Sequence, residues 1–443
     1  MNAFLDSLFR LSENQTSVRT EFLAGVTTFF TLSYIIFVQP AVLSAAGMDF
    51  GAVFVATCVA SGLATLMMAS FANYPIAVAP AMGHNFYFVF TVVLAMEIPW
   101  QVALGAVAVA GLLFILAAGV GLRERLIIAI PDSLKRAIAV GIGLLIAMIG
   151  LQWAGVIVGS SGTLVALGDL GTPPVLVAVL GLTVMAVLLV RGVRGALLIG
   201  IIISSIVAWL AGLSQFDGFT SAPPSLRPTL LQLDILGAFQ AEMAAVIFVF
   251  FFLALFDSVG TLVGVAEQAG LMRNGTLPRA RGALLADAVG TVVGAGLGTS
   301  TVTAYIESTT GVAAGGRTGL TSVVTAGLFF LALFFSPLVS MIGGGYEAGD
   351  GLTLYPVVAP ALIIVGTMMM KGVRRIGWDD PTEAIPAFLT IIMMPFTVSI
   401  TDGIAFGFMA YAVLKLVTDQ ARDVHWLVYL FAVLFLLRYI LLG

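Results

Sequence analysis

Apolar residues run along this chain in about fourteen long stretches, near 22-44, 51-73, 76-95, 100-120, 134-157, 173-190, 195-214, 241-265, 282-297, 299-316, 319-343, 352-370, 382-398 and 402-418, with most of the charge held in the short loops between them. Most of these stretches approach the roughly 20 residues a helix needs to cross about 30 Å of hydrocarbon. The pattern predicts an all-α polytopic membrane protein with no soluble domain, since the longest polar stretches, near 214-236 and 266-281, are too short to fold alone. The first run begins near residue 22 and the eighth near 241, so the fourteen divide into two sets of seven. An odd number of segments per set makes the two repeats inverted relative to each other, an arrangement common in secondary transporters.

Two runs, the third and the tenth, break the pattern at equivalent places. In YPIAVAPAMGHNFYF, Pro75 and Pro80 with Gly83 oppose a helix before about Gly83. In the tenth, Gly298 is followed by a β-branched run, Thr299 to Thr303, that favours extended chain. Between Arg281 and Arg317 lie 35 residues that must cross twice, where two helices need about 40. An extended segment rising about 3.3 Å per residue makes up the shortage. Segments 3 and 10 are therefore each expected to be a short strand followed by a half-helix, with open backbone N-H donors at the half-helix start. Asn85 and Glu307, 222 residues apart, fall at equivalent points there.

Composition agrees with a membrane protein: 443 residues, 60% hydrophobic and 9% charged. The net charge of -4 matters less than its placement. With a cytoplasmic N-terminus, 17 of the 19 Lys and Arg residues fall inside, Arg227 falls outside, and Arg438 depends on the last apolar stretch. That orientation puts both termini in the cytoplasm of an inner-membrane protein. The last stretch, 424-442, would as a further crossing carry Arg438 outside, whereas an interfacial helix lets it snorkel to cytoplasmic headgroups; the interfacial placement is preferred. Residues 1-20 are mixed and amphipathic, which suits a cytoplasmic surface helix rather than a cleaved signal. Cys58, the single cysteine, reads as a buried small hydrophobe, and the sequons at Asn14 and Asn274 lie on the cytoplasmic side.

Against this apolar background two carboxylates stand out. Asp257 is the fifteenth residue of a 24-residue span, Met243 to Ala266, near the midplane, and Glu307 lies among hydroxyls in GTSTVTAYIESTTGV. Acids at such depth face a cavity or a partner and point to transport or a proton relay. Burial penalises their charged forms, so one is expected to carry a proton in step with substrate. Structural alternatives exist: Glu307 as a cap of the half-helix, Asp257 as a hydrogen-bond partner of a neighbouring helix. Asn85 offers donors and acceptors to a ligand or to the packing of the site. Tyr305 and Phe86 suit either stacking on a planar ring or packing, His84 either proton coupling or a structural hydrogen bond, and Thr261 follows Asp257 by one turn on the same face. Ser308 adds a hydroxyl beside Glu307. Asp287 is a third buried acid, expected to partner Ser or Thr groups of the strand in segment 10. No Walker loop, H-E-x-x-H or C-x-x-C occurs, so neither cofactor nor metal is expected.

Three blocks, RTEFLAGVTTFFTLSYIIFVQPAVLSAAGMD (19-49), ALFDSVGTLVGVAEQAGL (254-271) and LADAVGTVVGAGLGTSTVTAYIESTTGVAAGGRTGLTSVV (285-324), resemble the AzgA-like purine permeases, a branch of the nucleobase:cation symporter family that includes the uracil permeases. The resemblance implies a core domain (21-120 and 237-343) and a gate domain (134-214 and 352-418), proton-coupled uptake of adenine, guanine or hypoxanthine, and often a homodimer. It assigns the substrate acids to Asp257 and Glu307 and the asparagine of segment 3 to Asn85; Tyr305 and Thr261 match cavity-lining positions. The family pattern A-P-G-M-G-L-N-A-[FY] stands here as A-P-A-M-G-H-N-F-Y, so Ala81, His84 and Phe86 depart from it. The competing function is an anion transporter of the sulfate and bicarbonate type with the same architecture, against which the two acids argue; a sensor or enzyme would need an output domain or catalytic set that the sequence lacks.

Overall fold

Polar residues at the ends of the apolar runs set where helices start. The computed structural model describes residues 2-120, 131-160, 162-240, 243-272, 277-349 and 353-441; Asn274 lies outside them. Helix α1 (Asn2–Phe9) precedes α2 (Val18–Leu32), which Ser17 caps by accepting the Thr20 amide, so the first span starts earlier than the apolar run and the expected surface helix is short. A bend at Ser33 and Tyr34 leads to α3 (Ile35–Ser44). Asp49 caps α4 (Phe50–Ala72), which ends at Asn73 in the left-handed conformation (φ 51°). Pro75 and Pro80 then keep the chain out of helix, and it forms β1 (Val78–Pro80) before α5 (Met82–Phe86) and a π-helical continuation, Tyr87–Ala95.

There follow α6 (Trp100–Val120), α7 (Asp132–Trp153), a hairpin of β2 (Ile157–Ser160) and β3 (Leu164–Leu167), α8 (Pro173–Val190), α9 (Ala196–Leu210) and the single turn α10 (Ile235–Ala238). The second half begins with α11 (Met243–Gln268) and α12 (Ala280–Leu297). Gly298, at φ 97°, ends α12; a Cβ there would meet Thr229 Cβ at 2.2 Å, so only glycine allows this exit. The chain continues as β4 (Val302–Ala304), α13 (Ser308–Ala313), α14 (Gly319–Ala332), α15 (Ser336–Gly343), the short pair β5 (Tyr346–Glu347) and β6 (Thr353–Leu354), α16 (Ala359–Met369), α17 (Pro381–Thr397), α18 (Ile400–Val417) and α19 (Trp426–Leu441).

Nine stretches of helix among the described residues are long and apolar enough to cross a membrane. The other five apolar runs form shorter or interrupted helices: α9 is a continuous but short helix, and prolines, the two strands or a 3-10 turn interrupt the rest. The described part of the segment expected as an interfacial helix forms α19. Helix α19 runs antiparallel along α18, with Phe431 and Phe435 against Phe408 and the Tyr439 hydroxyl donating to Asp402 at 2.6 Å. One side of α19 is covered by this packing, while Leu430, Val433, Leu434, Leu437 and Ile440 are exposed.

The two strands meet in the buried interior. β1 and β4 pair antiparallel, Val78 opposite Ala304, Ala79 opposite Thr303 and Pro80 opposite Val302, and all six residues are buried. Flanking bonds from Ala81 N to Thr301 O and from Tyr305 N to Ala77 O lengthen the ladder. The outer edges are closed by hydroxyls. Thr65 on α4 accepts the Val78 amide and donates to its carbonyl, both at 3.0 Å; Thr291 on α12 does the same for Val302, at 3.2 and 2.9 Å. Unpaired backbone at such depth would cost several kcal/mol per group.

A second junction anchors the start of α14. Glu21, fully buried on α2, accepts the amides of Arg317, Thr318 and Thr321 and the Thr321 hydroxyl, while Asn73 accepts the Gly319 amide. The carboxylate thus meets the positive end of the helix dipole. Replacing Glu21 by Ala should cost about 3 kcal/mol, because several buried donors lose their acceptor together. Thermal unfolding of the purified protein should show a clear drop for Glu21→Ala and a smaller one for Glu21→Gln, which keeps one acceptor oxygen.

Candidate functional site

The strand pair delivers side chains to one region from four elements. Thr303 on β4 points its hydroxyl at α11, where it donates to Asp257 Oδ2 at 3.1 Å. Three residues past β4, Glu307 stands at the start of α13, and its Oε1 accepts the Tyr34 hydroxyl at 2.8 Å. Glu307 and Asp287 each lie within Coulombic reach of Asp257. None of the three takes part in an ion pair among the described residues.

Asp257 opens onto a recess. Along α11, Asp257, Gly260, Glu267 and Gln268 are exposed and Thr261 and Gly264 half-buried, while no large apolar side chain of this helix is exposed. An exposed face built from Asp, Gly, Thr, Glu and Gln suits water, not lipid. A Cβ on Gly260 would have nothing within 4 Å. The recess therefore follows the helix from Asp257 towards its end at Gln268. Lys135, at the start of α7, sits beside it with Nζ 5.7 Å from the Phe256 ring centre.

Asn85 is fully buried and held on both sides: its amide group donates to Gln39 Oε1, and its carbonyl oxygen accepts the Ser300 hydroxyl. Gln39 in turn donates to Thr299 at 2.9 Å. Asn85 thus joins α3, α5 and the approach to β4, shaping the site. Tyr305 is also committed, its hydroxyl donating to the Pro80 carbonyl at 2.5 Å, which ties the two strands together. Phe86 is buried and stacked on Phe90, ring centres 5.6 Å apart. Ser308 accepts the Ala77 amide at 3.0 Å. His84 is 2% exposed, with neither ring nitrogen hydrogen-bonded among the described residues, and no bond connects it to either acid. Asp287 meets the strand as expected, but through the Ala304 backbone amide at 3.2 Å and not a hydroxyl.

The two half-helices differ in the donors they leave open. At α13 the amides of Ser308, Thr309 and Thr310 are taken by the carbonyls of Tyr305, Ile306 and Glu307, so the expected free N-H groups are absent there. At α5 the amides of Met82, Gly83 and His84 make no hydrogen bond among the described residues. Acceptors on one side and donors on the other suit a ligand that carries both kinds of group. Sequence reasoning passed over Tyr34 and Gln39, although Gln39-Pro40 is a polar interruption inside an apolar run.

The profile of a family described as the permease family matches residues 19–406. The adenine permease AdeP of Escherichia coli (strain K12) is 45% identical over 435 residues, 98% of this chain and 95% of that one. The guanine/hypoxanthine permease PbuO of Bacillus subtilis (strain 168) is 46% identical over 442 residues, 98% of this chain and 100% of that one. Among solved structures, the transmembrane domain of the cyanobacterial bicarbonate transporter BicA is similar with a TM-score of 0.63 at 16% identity, covering 87% of this chain and 97% of that one, a likeness of fold.

Because Cys58 is buried, the wild-type protein offers no accessible thiol for background labelling. A Gly260→Cys variant should react with a membrane-impermeant maleimide in vesicles of one orientation and not the other. Absence of labelling in both orientations would show that the recess does not reach water.

Proposed function

The chain belongs to the permease family and is a transporter rather than an enzyme, and on that premise we propose that it takes up purine nucleobases, adenine, guanine or hypoxanthine, together with protons by alternating access across the cell membrane. The observation that carries this is the pair Asp257 and Glu307, two carboxylates without a basic partner among the described residues, beside an exposed helix face rich in small and polar side chains. Ring N-H and exocyclic amine groups of a base would donate to the acids, and its ring nitrogens or carbonyl would accept from the open amides of Met82, Gly83 and His84. One acid exchanges a proton as the base is carried. A single charge crossing about 100 mV provides about 2.3 kcal/mol, enough for roughly fifty-fold accumulation.

The same proposal includes fourteen segments in two inverted repeats. In its support, the bracing threonines Thr65 and Thr291 stand 226 residues apart and the paired strands β1 and β4 begin 224 apart. The division into a core (21-120 and 237-343) and a gate (134-214 and 352-418) is supported by packing, since α4 packs with α12 and α14 while α7 packs with α16 and α17. The placement of Lys and Arg supports cytoplasmic termini, with the recess facing inward. Anion transport of the bicarbonate type is disfavoured by the acids, which repel such a cargo.

Uptake of radiolabelled adenine, guanine and hypoxanthine into cells, with sulfate as a control, tests the assignment; uptake of at least one purine that an uncoupler removes is expected. Uncoupler-insensitive uptake would reject proton coupling, and uptake of sulfate alone would reject the cargo. Glu307→Gln should lower purine uptake by about 100-fold at unchanged membrane expression, the effect of losing a charged hydrogen bond.

A further inference from the structure

At the end of α7 away from Asp132, a second cavity of about 470 Å³ opens between Trp153, the β2–β3 hairpin and β6. Its volume is in the range of small-molecule sites. Trp153 lines it and is 9% exposed. Tyr355 braces that indole, with ring centres 4.3 Å apart and planes at 34°. Around it stand groups suited to the edge of a heterocycle. The Gln152 side chain makes no hydrogen bond among the described residues, Asp169 accepts the Gly171 amide through one carboxylate oxygen, and the Thr172 hydroxyl donates to the Asp169 carbonyl at 3.1 Å.

The cavity is joined to the central site by aromatic rings. Trp153 contacts Phe90 at 6.5 Å between centres, and Phe90 stacks on Phe86 at 5.6 Å with planes at 16°. Phe86 is the neighbour of Asn85. Phe90 lies on the π-helical stretch Tyr87–Ala95, a backbone form that is rare and concentrates at functional sites. Two consecutive ring contacts thus connect this cavity with the half-helix whose amides are open.

We propose that this cavity is a capture site for a planar heteroaromatic base on the side of the membrane opposite the recess, with Trp153 as the stacking face and Gln152 and Asp169 as partners for the base edge. The proposal rests on the transport function given above. Stacking suits capture because every base has a π-face, so the site admits several purines while the acids and amides at the centre select among them.

Two measurements test it. Trp153→Ala should raise KM for the transported purine by about tenfold at a maximal rate within about twofold of wild type, whereas Trp153→Phe should stay close to wild type. Independently, in a variant that keeps Trp153 and replaces Trp100, Trp209, Trp378 and Trp426 by Phe, adenine, guanine or hypoxanthine should quench the remaining fluorescence saturably, and the quench should survive Glu307→Gln. An unchanged KM in Trp153→Ala, or a quench abolished by Glu307→Gln, would overturn the capture site. A wild-type protein that moves no purine yet retains the quench would overturn the transport function and leave the capture site standing.

Discussion

Everything at the centre of this protein depends on satisfying a few backbone amides in a place where neither water nor a regular helix can do it. Two three-residue strands cross in the buried interior, and each supplies the hydrogen bonds the other lacks. Where the strands run out of partners, side chains complete them: Thr65 and Thr291 at the edges, Asp287 at Ala304, Ser308 at Ala77 and Tyr305 at Pro80. The same requirement fixes the functional groups. Thr303 is in register to hold Asp257, and the turn after β4 sets Glu307 beside Tyr34.

Much of this was legible in the sequence because it follows from chemistry local to the chain. Apolar run lengths gave the nine long helices of the described residues, prolines and the β-branched run gave the two breaks, and an acid in an apolar stretch is conspicuous wherever it lies. Partners were not legible. Tyr34 lies 273 residues from Glu307 and Gln39 lies 260 from Thr299, and nothing near Tyr34 or Gln39 records these pairings. Glu21 was overlooked because it sits at the edge of a span, where an acid normally reaches solvent; its role comes from the end of α14 packed against it. The packing of α19 on α18 was hidden for a similar reason, since a stretch of apolar residues shows how much surface must be covered and not what covers it.

The candidate site is asymmetric although each of its two arms is a short strand followed by a short helix. One half-helix has spent its N-terminal donors on its own turn and contributes a carboxylate instead; the other keeps three amides open. Asn85 and Tyr305, both read from the sequence as candidates for the site, are hydrogen-bonded within the scaffold. Two arms of similar build can thus present acceptors and donors with different chemistry.

The strand pair also constrains how the chain comes into being. β1 is synthesised more than 220 residues before β4, an interval of roughly 10 to 40 s at typical rates of translation. During that time Ala79 and its neighbours have Thr65 at one edge and nothing at the other. A nascent first half therefore enters the bilayer with its most demanding backbone uncovered, and the late arrival of the second half closes the fold.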